Sequence, residues 1–152
     1  MKNAHPTPEL RPGFEHAAAD LGAMYAPTPL RLSLTTDFED PPATRIIDAG
    51  RIDKGGMRIY HLNGATVAQA TALGEALLAS KRFAAIGTTE CELRQDGDQL
   101  VLSFVVADDH VDDATTGGAL AEVGRELGEH AFARPLHVRQ CDSEYARCKL
   151  LR

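Results

Sequence analysis

The sequence has no tryptophan, and its only aromatic residues are five phenylalanines and three tyrosines. Basic residues are outnumbered, with 16 Lys and Arg against 22 Asp and Glu, for a formal charge of −6. A surface that tracks nucleic-acid phosphates depends on clustered Lys and Arg, so the charge balance argues against that class of partner. No apolar run approaches the length of a membrane span, which argues against membrane insertion. The first ten residues lack the apolar stretch of a signal peptide. Cysteine is scarce as well. Cys91, Cys141 and Cys148 are an odd number at no disulfide-framework spacing, and they read as reduced thiols of a cytoplasmic protein. Neither a P-loop nor a dinucleotide fingerprint occurs, so Gly55-Gly56 and Gly117-Gly118 read as turn and helix-start glycines.

What is present divides the chain in two. Seven of the eight prolines lie between Pro6 and Pro42. Within that stretch Phe14, Ala17, Ala18, Leu21 and Met24/Tyr25 recur at three- and four-residue intervals, the pattern of a short amphipathic helix. Pro27 and Pro29 end it. Leu30, Leu32 and Leu34 then alternate with Arg31, Ser33 and Thr35 as in a strand with one buried face, and residues 37–42 read as a loop. These elements form an N-terminal extension, residues 1–55.

Residues 56–152 carry a more regular pattern. Residues 57–62 read as a strand, and Thr66 with Gln69 forms a capping box ahead of a helix whose stripe is Val67, Ala70, Leu73, Leu77 and Leu78. Residues 88–94 alternate as a half-exposed strand, and residues 100–106 return as a strongly apolar one after an Asp96-Gly97 hairpin signal. A second helix follows, capped by Asp112 or Asp113, with Leu120, Val123, Leu127 and Ala131 on its buried side. Its four glycines weaken its intrinsic propensity, so packing must hold it. Residues 136–141 form a strand, and residues 145–151 pair back as a short C-terminal one. The order βαββαβ predicts an α+β domain of ferredoxin-like, split βαβ type, with an antiparallel sheet and both helices on one face. Strand 100–106 is apolar on both sides, since Val101 and Val105 oppose Leu100, Leu102, Phe104 and Val106. The helices can cover only one face. Either the N-terminal segment or a second chain covers the other.

Three clusters carry potential chemistry. Asp108, Asp109, His110, Asp112 and Asp113 could hold a hard cation, but the spacing is not that of an EF-hand, and acidic residues ahead of a helix complement its dipole. His137, Cys141 and Cys148 are zinc-type ligands without a fourth partner or a closely spaced pair. His137 and Cys141 cannot form a nucleophilic dyad, because positions four apart on a strand lie about 13 Å apart. Tyr60 and Phe104 are the only aromatics on the central strands, with no basic-aromatic run for RNA.

The string from Tyr60 to Leu151 resembles an uncharacterised, soluble ferredoxin-like α+β domain of bacterial proteins, sometimes appended to rhomboid-type membrane proteases. The residues that carry the resemblance are Leu73-Gly74, Lys81-Arg82-Phe83, Leu-Ser-Phe-Val-Val at 102–106, Glu129-His130-Ala131-Phe132, and the run 138–142 with its Cys-Asp. The resemblance implies an accessory or regulatory module without catalysis. No catalytic residue, metal ligand or cofactor site emerges from the residues themselves. The expectation is a non-enzymatic protein-interaction module, self-associating or bound to a protein partner. The alternative is a small-molecule or metal sensor with a pocket on the open sheet face. The residues that would line that face are Val101, Val105, His61, His137, Arg139 and Cys141.

Overall fold

The computed structural model describes residues 12–25, 33–36, 43–46 and 48–151. Its centre is a six-stranded mixed sheet in sequential order, β3 (Ala49–Lys54), β4 (Met57–Leu62), β5 (Glu90–Asp96), β6 (Gln99–Val105), β7 (Leu136–Cys141) and β8 (Cys148–Leu151). A separate hairpin pairs β1 (Ser33–Thr36) with β2 (Ala43–Ile46). The helices are α1 (Pro12–Met24), α2 (Val67–Ala79), α3 (Lys81–Ile86) and α4 (Ala114–His130). Helices α2 to α4 cover one face of the sheet, and α1 lies across β3 and β4 on the other. The class is α+β.

The strand order is not the ferredoxin-like one. In that arrangement the first strand lies between the third and the fourth. Here β4 pairs with β3 on one side and, in parallel, with β5 on the other. Pairings alternate along the sheet, antiparallel at each hairpin and parallel at the two helical crossovers. The physical reason is β3, a strand that the sequence pattern does not flag. It occupies the free edge of β4 through a two-residue turn at Gly55-Gly56, both with positive φ (56° and 82°), as a type I′ hairpin requires. The expected boundary between residues 55 and 56 therefore falls inside a hairpin of the main sheet. Of the expected strand at 30–35, residues 33–35 lie in β1, while residues 30–32 and the loop 37–42 lie outside the described residues.

Local signals hold more closely. Thr66 and Gln69 form the capping box, each side chain accepting the other's backbone N–H at 3.1 and 2.9 Å. Ser80 then separates α2 from α3. It caps α3 by accepting from Phe83 N–H, so Lys81 and Arg82 open a new helix. Asp113 caps α4 through Thr116 N–H at 3.0 Å. The β5–β6 turn centres on Gly97-Asp98, because Asp96 pairs with Gln99. Of that central pair only Gly97 has positive φ.

The core lies between the sheet and α2 to α4. Ile59, Leu73, Cys91, Leu93, Leu100, Leu102, Phe104 and Leu120 are fully buried there. The glycines of α4 are what bring it down onto β7. A Cβ at Gly124 would overlap Val138 Cγ2, and one at Gly128 would lie 2.8 Å from the Arg134 carbonyl oxygen. Gly118, on the outer side, meets nothing within 4 Å. Gly124→Ala is therefore expected to destabilise by about 1–2 kcal/mol, overpacking outweighing the gain in helix propensity. Gly118→Ala is expected to stabilise by about 0.5–1 kcal/mol. Urea unfolding of the two variants beside the parent chain tests both signs.

Candidate functional site

Helix α1 meets the sheet with its polar side. Its ionisable residues Glu15, His16 and Asp20 all engage the sheet, and Ala18 and Ala19 are the small buried residues between them. The receiving surface is the alternate set of strand residues, those opposite the core, which places Tyr60, Glu90, Glu92, Arg94, Ser103 and Arg139 side by side.

Glu92 is the centre. Its carboxylate is 1% exposed, and His16, Arg94 and Arg139 surround it. His16 Nε2 lies 2.8 Å from Oε2, Arg94 Nε donates to Oε1 at 2.8 Å, and an Arg139 terminal nitrogen stands 3.9 Å away. Arg94 reaches on to grip Glu15 of α1 with both terminal nitrogens. Arg139 donates through Nε to Ser103 Oγ at 2.9 Å. Burial alone would raise the Glu92 pKa. The hydrogen bonds from His16 and Arg94 and the charge of Arg94 outweigh it and hold the carboxyl below its usual range.

Two tyrosines enclose the His16 ring. Tyr60 meets it edge-on and Tyr145 stacks on it at 18°, each with centroids 4.4 Å away. Tyr60 donates its hydroxyl to Asp20 at 2.9 Å, and Arg51 donates to the same carboxylate oxygen at 2.7 Å. Burial and the Asp20 carboxylate push the Tyr60 phenol up to about 12. Tyr145 donates to Glu90 at 3.1 Å, and burial drives its pKa upward too.

The opposite side of α1 is apolar and open. Phe14, Leu21, Met24 and Tyr25 are 52, 41, 72 and 58% exposed, and Ala17 between them is also exposed. The stripe that periodicity marks as the buried side of this helix is mostly its outer face. Only Ala18, from the expected set, turns inward.

The expected lining residues separate. Val101, Val105, His137, Arg139 and Cys141 share the α1 side of the sheet, where Val101 is opposite His137, Ser103 opposite Arg139, and Val105 opposite Cys141. His61 lies on the other side with Met57 and Ile59, its Nδ1 3.1 Å from the Ala65 carbonyl. It does not converge with His137. Val101 is already buried and Val105 half-buried within one chain. Two grooves, of about 480 and 850 Å³, flank α4 on the helix side. Neither is lined by His61, His137, Arg139, Cys141 or Glu92.

The cysteines also depart from expectation. Cys141 and Cys148 form a disulfide between directly paired positions of β7 and β8, with Cα atoms 4.1 Å apart. Neither thiolate is free to hold zinc. Cys91 is the free thiol and is fully buried, as its alternation with Leu93 predicts. Among the described residues no group of three His, Cys, Asp or Glu is placed to hold a metal ion. The acidic cluster disperses into separate duties. Asp108 accepts from Ser143 N–H, Asp112 pairs with Arg147, and Asp113 caps α4. Tyr60 and Phe104 lie on opposite faces of the sheet, so they form no stacking platform.

Sequence reading missed Glu92 and Arg94 as site residues because each sits in an alternating strand where a solvated face is the ordinary expectation. Only the strand register, which sets Glu92 opposite Ser103 and Ser103 opposite Arg139, brings the polar set together. No family model, curated protein or solved structure matches the chain.

Two outcomes follow from this chemistry. A carboxyl whose folded-state pKa is depressed contributes stability above its unfolded value, near 4.3 for Glu, and loses it as pH falls through the folded value. Amide protection of α1 is therefore expected to hold from pH 7 to about pH 5 and to fail below about pH 4, measured by hydrogen exchange. Glu92→Gln, which takes the nearest carboxylate from His16 and from the part-buried Arg94, is expected to cost about 1–3 kcal/mol in urea unfolding. The second outcome concerns thiols. A thiol reagent should find none in the native chain and one, Cys91, after unfolding without reductant. It should find all three after reduction.

Proposed function

We propose that this protein is a non-enzymatic interaction module that self-associates through the outward face of α1. The observation that carries this reading is the inverted helix, whose three ionisable residues all face the sheet while Phe14, Leu21, Met24 and Tyr25 face outward. Together those four side chains expose on the order of 500 Å². That is about the largest apolar patch an ordinary monomer shows.

The patch favours a second copy of the same chain. It carries no charge, so two identical stripes meet across a twofold axis without like-charge repulsion. Homodimer interfaces are the more apolar class. Each partner of a standard interface buries about 800 Å², and the stripe supplies more than half of that from one helix. The exposed Ala17 between Phe14 and Leu21 lets two helices approach closely at the crossing point. The resemblance to accessory domains agrees with this reading. The side chains of His16 and Glu92 are only 11% and 1% exposed, which supports a holding role over a catalytic one. The sensor alternative loses His61, which lies on the other face of the sheet from His137, Arg139 and Cys141.

Light scattering across a wide concentration range tests the proposal. The expected mass rises from the 16.4 kDa of one chain to that of a dimer. Leu21→Asp and Met24→Asp, both on the exposed stripe, should return it to the monomer with an unchanged urea midpoint. A monomeric mass throughout, or a dimer indifferent to both substitutions, would overturn it. The second result would move the contact elsewhere, and the first would leave the stripe to a partner of different sequence.

A further inference from the structure

The disulfide lies at a place where it can act on α1. Residues 142–147 connect β7 to β8, and Cys141 and Cys148 close that loop at its base. Tyr145 is the one residue of the loop that is buried, and it is the stacking partner of His16. Its backbone is left-handed, with φ 57°, a conformation that a residue with a side chain keeps only where its surroundings enforce it. Several contacts do so. Tyr145 N–H donates to the Asp142 carbonyl at 3.1 Å, its hydroxyl donates to Glu90, and its own carbonyl oxygen lies 3.7 Å from the bridged Cys148 Sγ. Thus the sulfur that closes the loop touches the residue that closes over α1.

We propose that Cys141–Cys148 is a redox-modifiable latch: reduction by a dithiol loosens the 142–147 loop, withdraws Tyr145 from His16 and frees α1 from the sheet. The site of attack follows from burial. Cys148 is half-exposed, whereas Cys141 is fully buried, so the reductant's thiolate attacks the Cys148 sulfur. The S–S bond breaks, Cys141 leaves with the electron pair and takes up a proton. The reductant's second thiol then displaces Cys148, which takes up the second proton, and the reductant leaves as its own disulfide. Two electrons and two protons are transferred in all.

Release acts at one side of the His16 ring. Tyr145 supplies its stacked wall, and Tyr60 supplies the edge-on one. With the stacked wall gone, water reaches the ring and the buried Glu92 beside it. The interactions that hold α1 by charge then weaken together, since each depends on exclusion of solvent. On the sheet the loop is held by Tyr145 to Glu90, and its other side-chain ties run to Asp108 and Asp112 ahead of α4, so the core under α2 to α4 stays closed.

Hydrogen exchange of the full chain, oxidised and after dithiothreitol, is the test. It is read at two protein concentrations so that protection by dimerisation separates from protection by docking. Reduction is expected to raise exchange in residues 12–25 by roughly tenfold or more while β5 and β6 keep theirs. Tyr145→Ala, with the disulfide intact, should reproduce that loss and make α1 indifferent to dithiothreitol. A disulfide that dithiothreitol cannot reduce in the native chain overturns the proposal, as does an α1 unchanged by reduction. A Tyr145→Ala chain whose α1 still responds to reduction overturns the route through Tyr145. None of these readings depends on the mass measurement, so the latch and the self-association stand or fall separately.

Discussion

A single buried carboxylate determines how the two faces of the sheet differ. Glu92 sits on β5 facing away from the core, where an ordinary alternating strand would leave it in water. Enclosed instead, it must be neutralised, and the fold surrounds it with His16, Arg94 and Arg139 from three different elements. Arg94 in turn needs more than one carboxylate, and Glu15 of α1 supplies the second. The helix is therefore drawn to this face by charge. Its polar side is consumed in doing so, and the apolar side has nowhere to point but outward.

That inversion explains what could and could not be read from the sequence. The spacing of Phe14, Leu21 and Met24 does locate a helix, because periodicity is a property of the segment alone. Which side it buries depends on the surface it meets. The rule that apolar means inward assumes an apolar host, and here the host is lined by Glu92, Arg94 and Tyr60. Val101 is buried and Val105 part-buried within one chain, while α1 lies over β3 and β4 and not over their own strand.

Strand order failed for a different reason. Caps, hairpin glycines and helix stripes are encoded within a few residues, so Thr66, Asp113 and Gly55-Gly56 behave as their local chemistry requires. Order is a competition among edges. The short polar sequence of β3, Ala-Gly-Arg-Ile-Asp-Lys, gives no alternating apolar signal, yet it captures the edge of β4 because a two-residue turn brings it there before any distant strand can arrive. The disulfide was hidden in the same way. A separation of seven residues matches no framework pattern, and only the register of β7 with β8 makes Cys141 and Cys148 direct neighbours.

The magnitudes set α1 apart from the rest of the fold. Its own buried apolar side chains are little more than Ala18 and Ala19, on the order of 1 kcal/mol for each methyl group, packed against a small cluster of Tyr60 and Leu62 on the sheet. The Arg51–Asp20 pair is partly exposed and adds at most about 1 kcal/mol. The Glu92 network has to recover the desolvation of its charges, so its net worth is small even though breaking it is costly. The core under α2 to α4 has a dozen large side chains and no comparable debt. Docking of α1 is thus specific in geometry but shallow in free energy, the condition under which a local event shifts its population. Whatever binds the outward stripe only while the helix is docked also favours the His16–Tyr145 stack. By linkage, the stack then favours that binding by the same free energy. The exposed face and the buried charge are in this sense one device, joined through a helix only a few turns long.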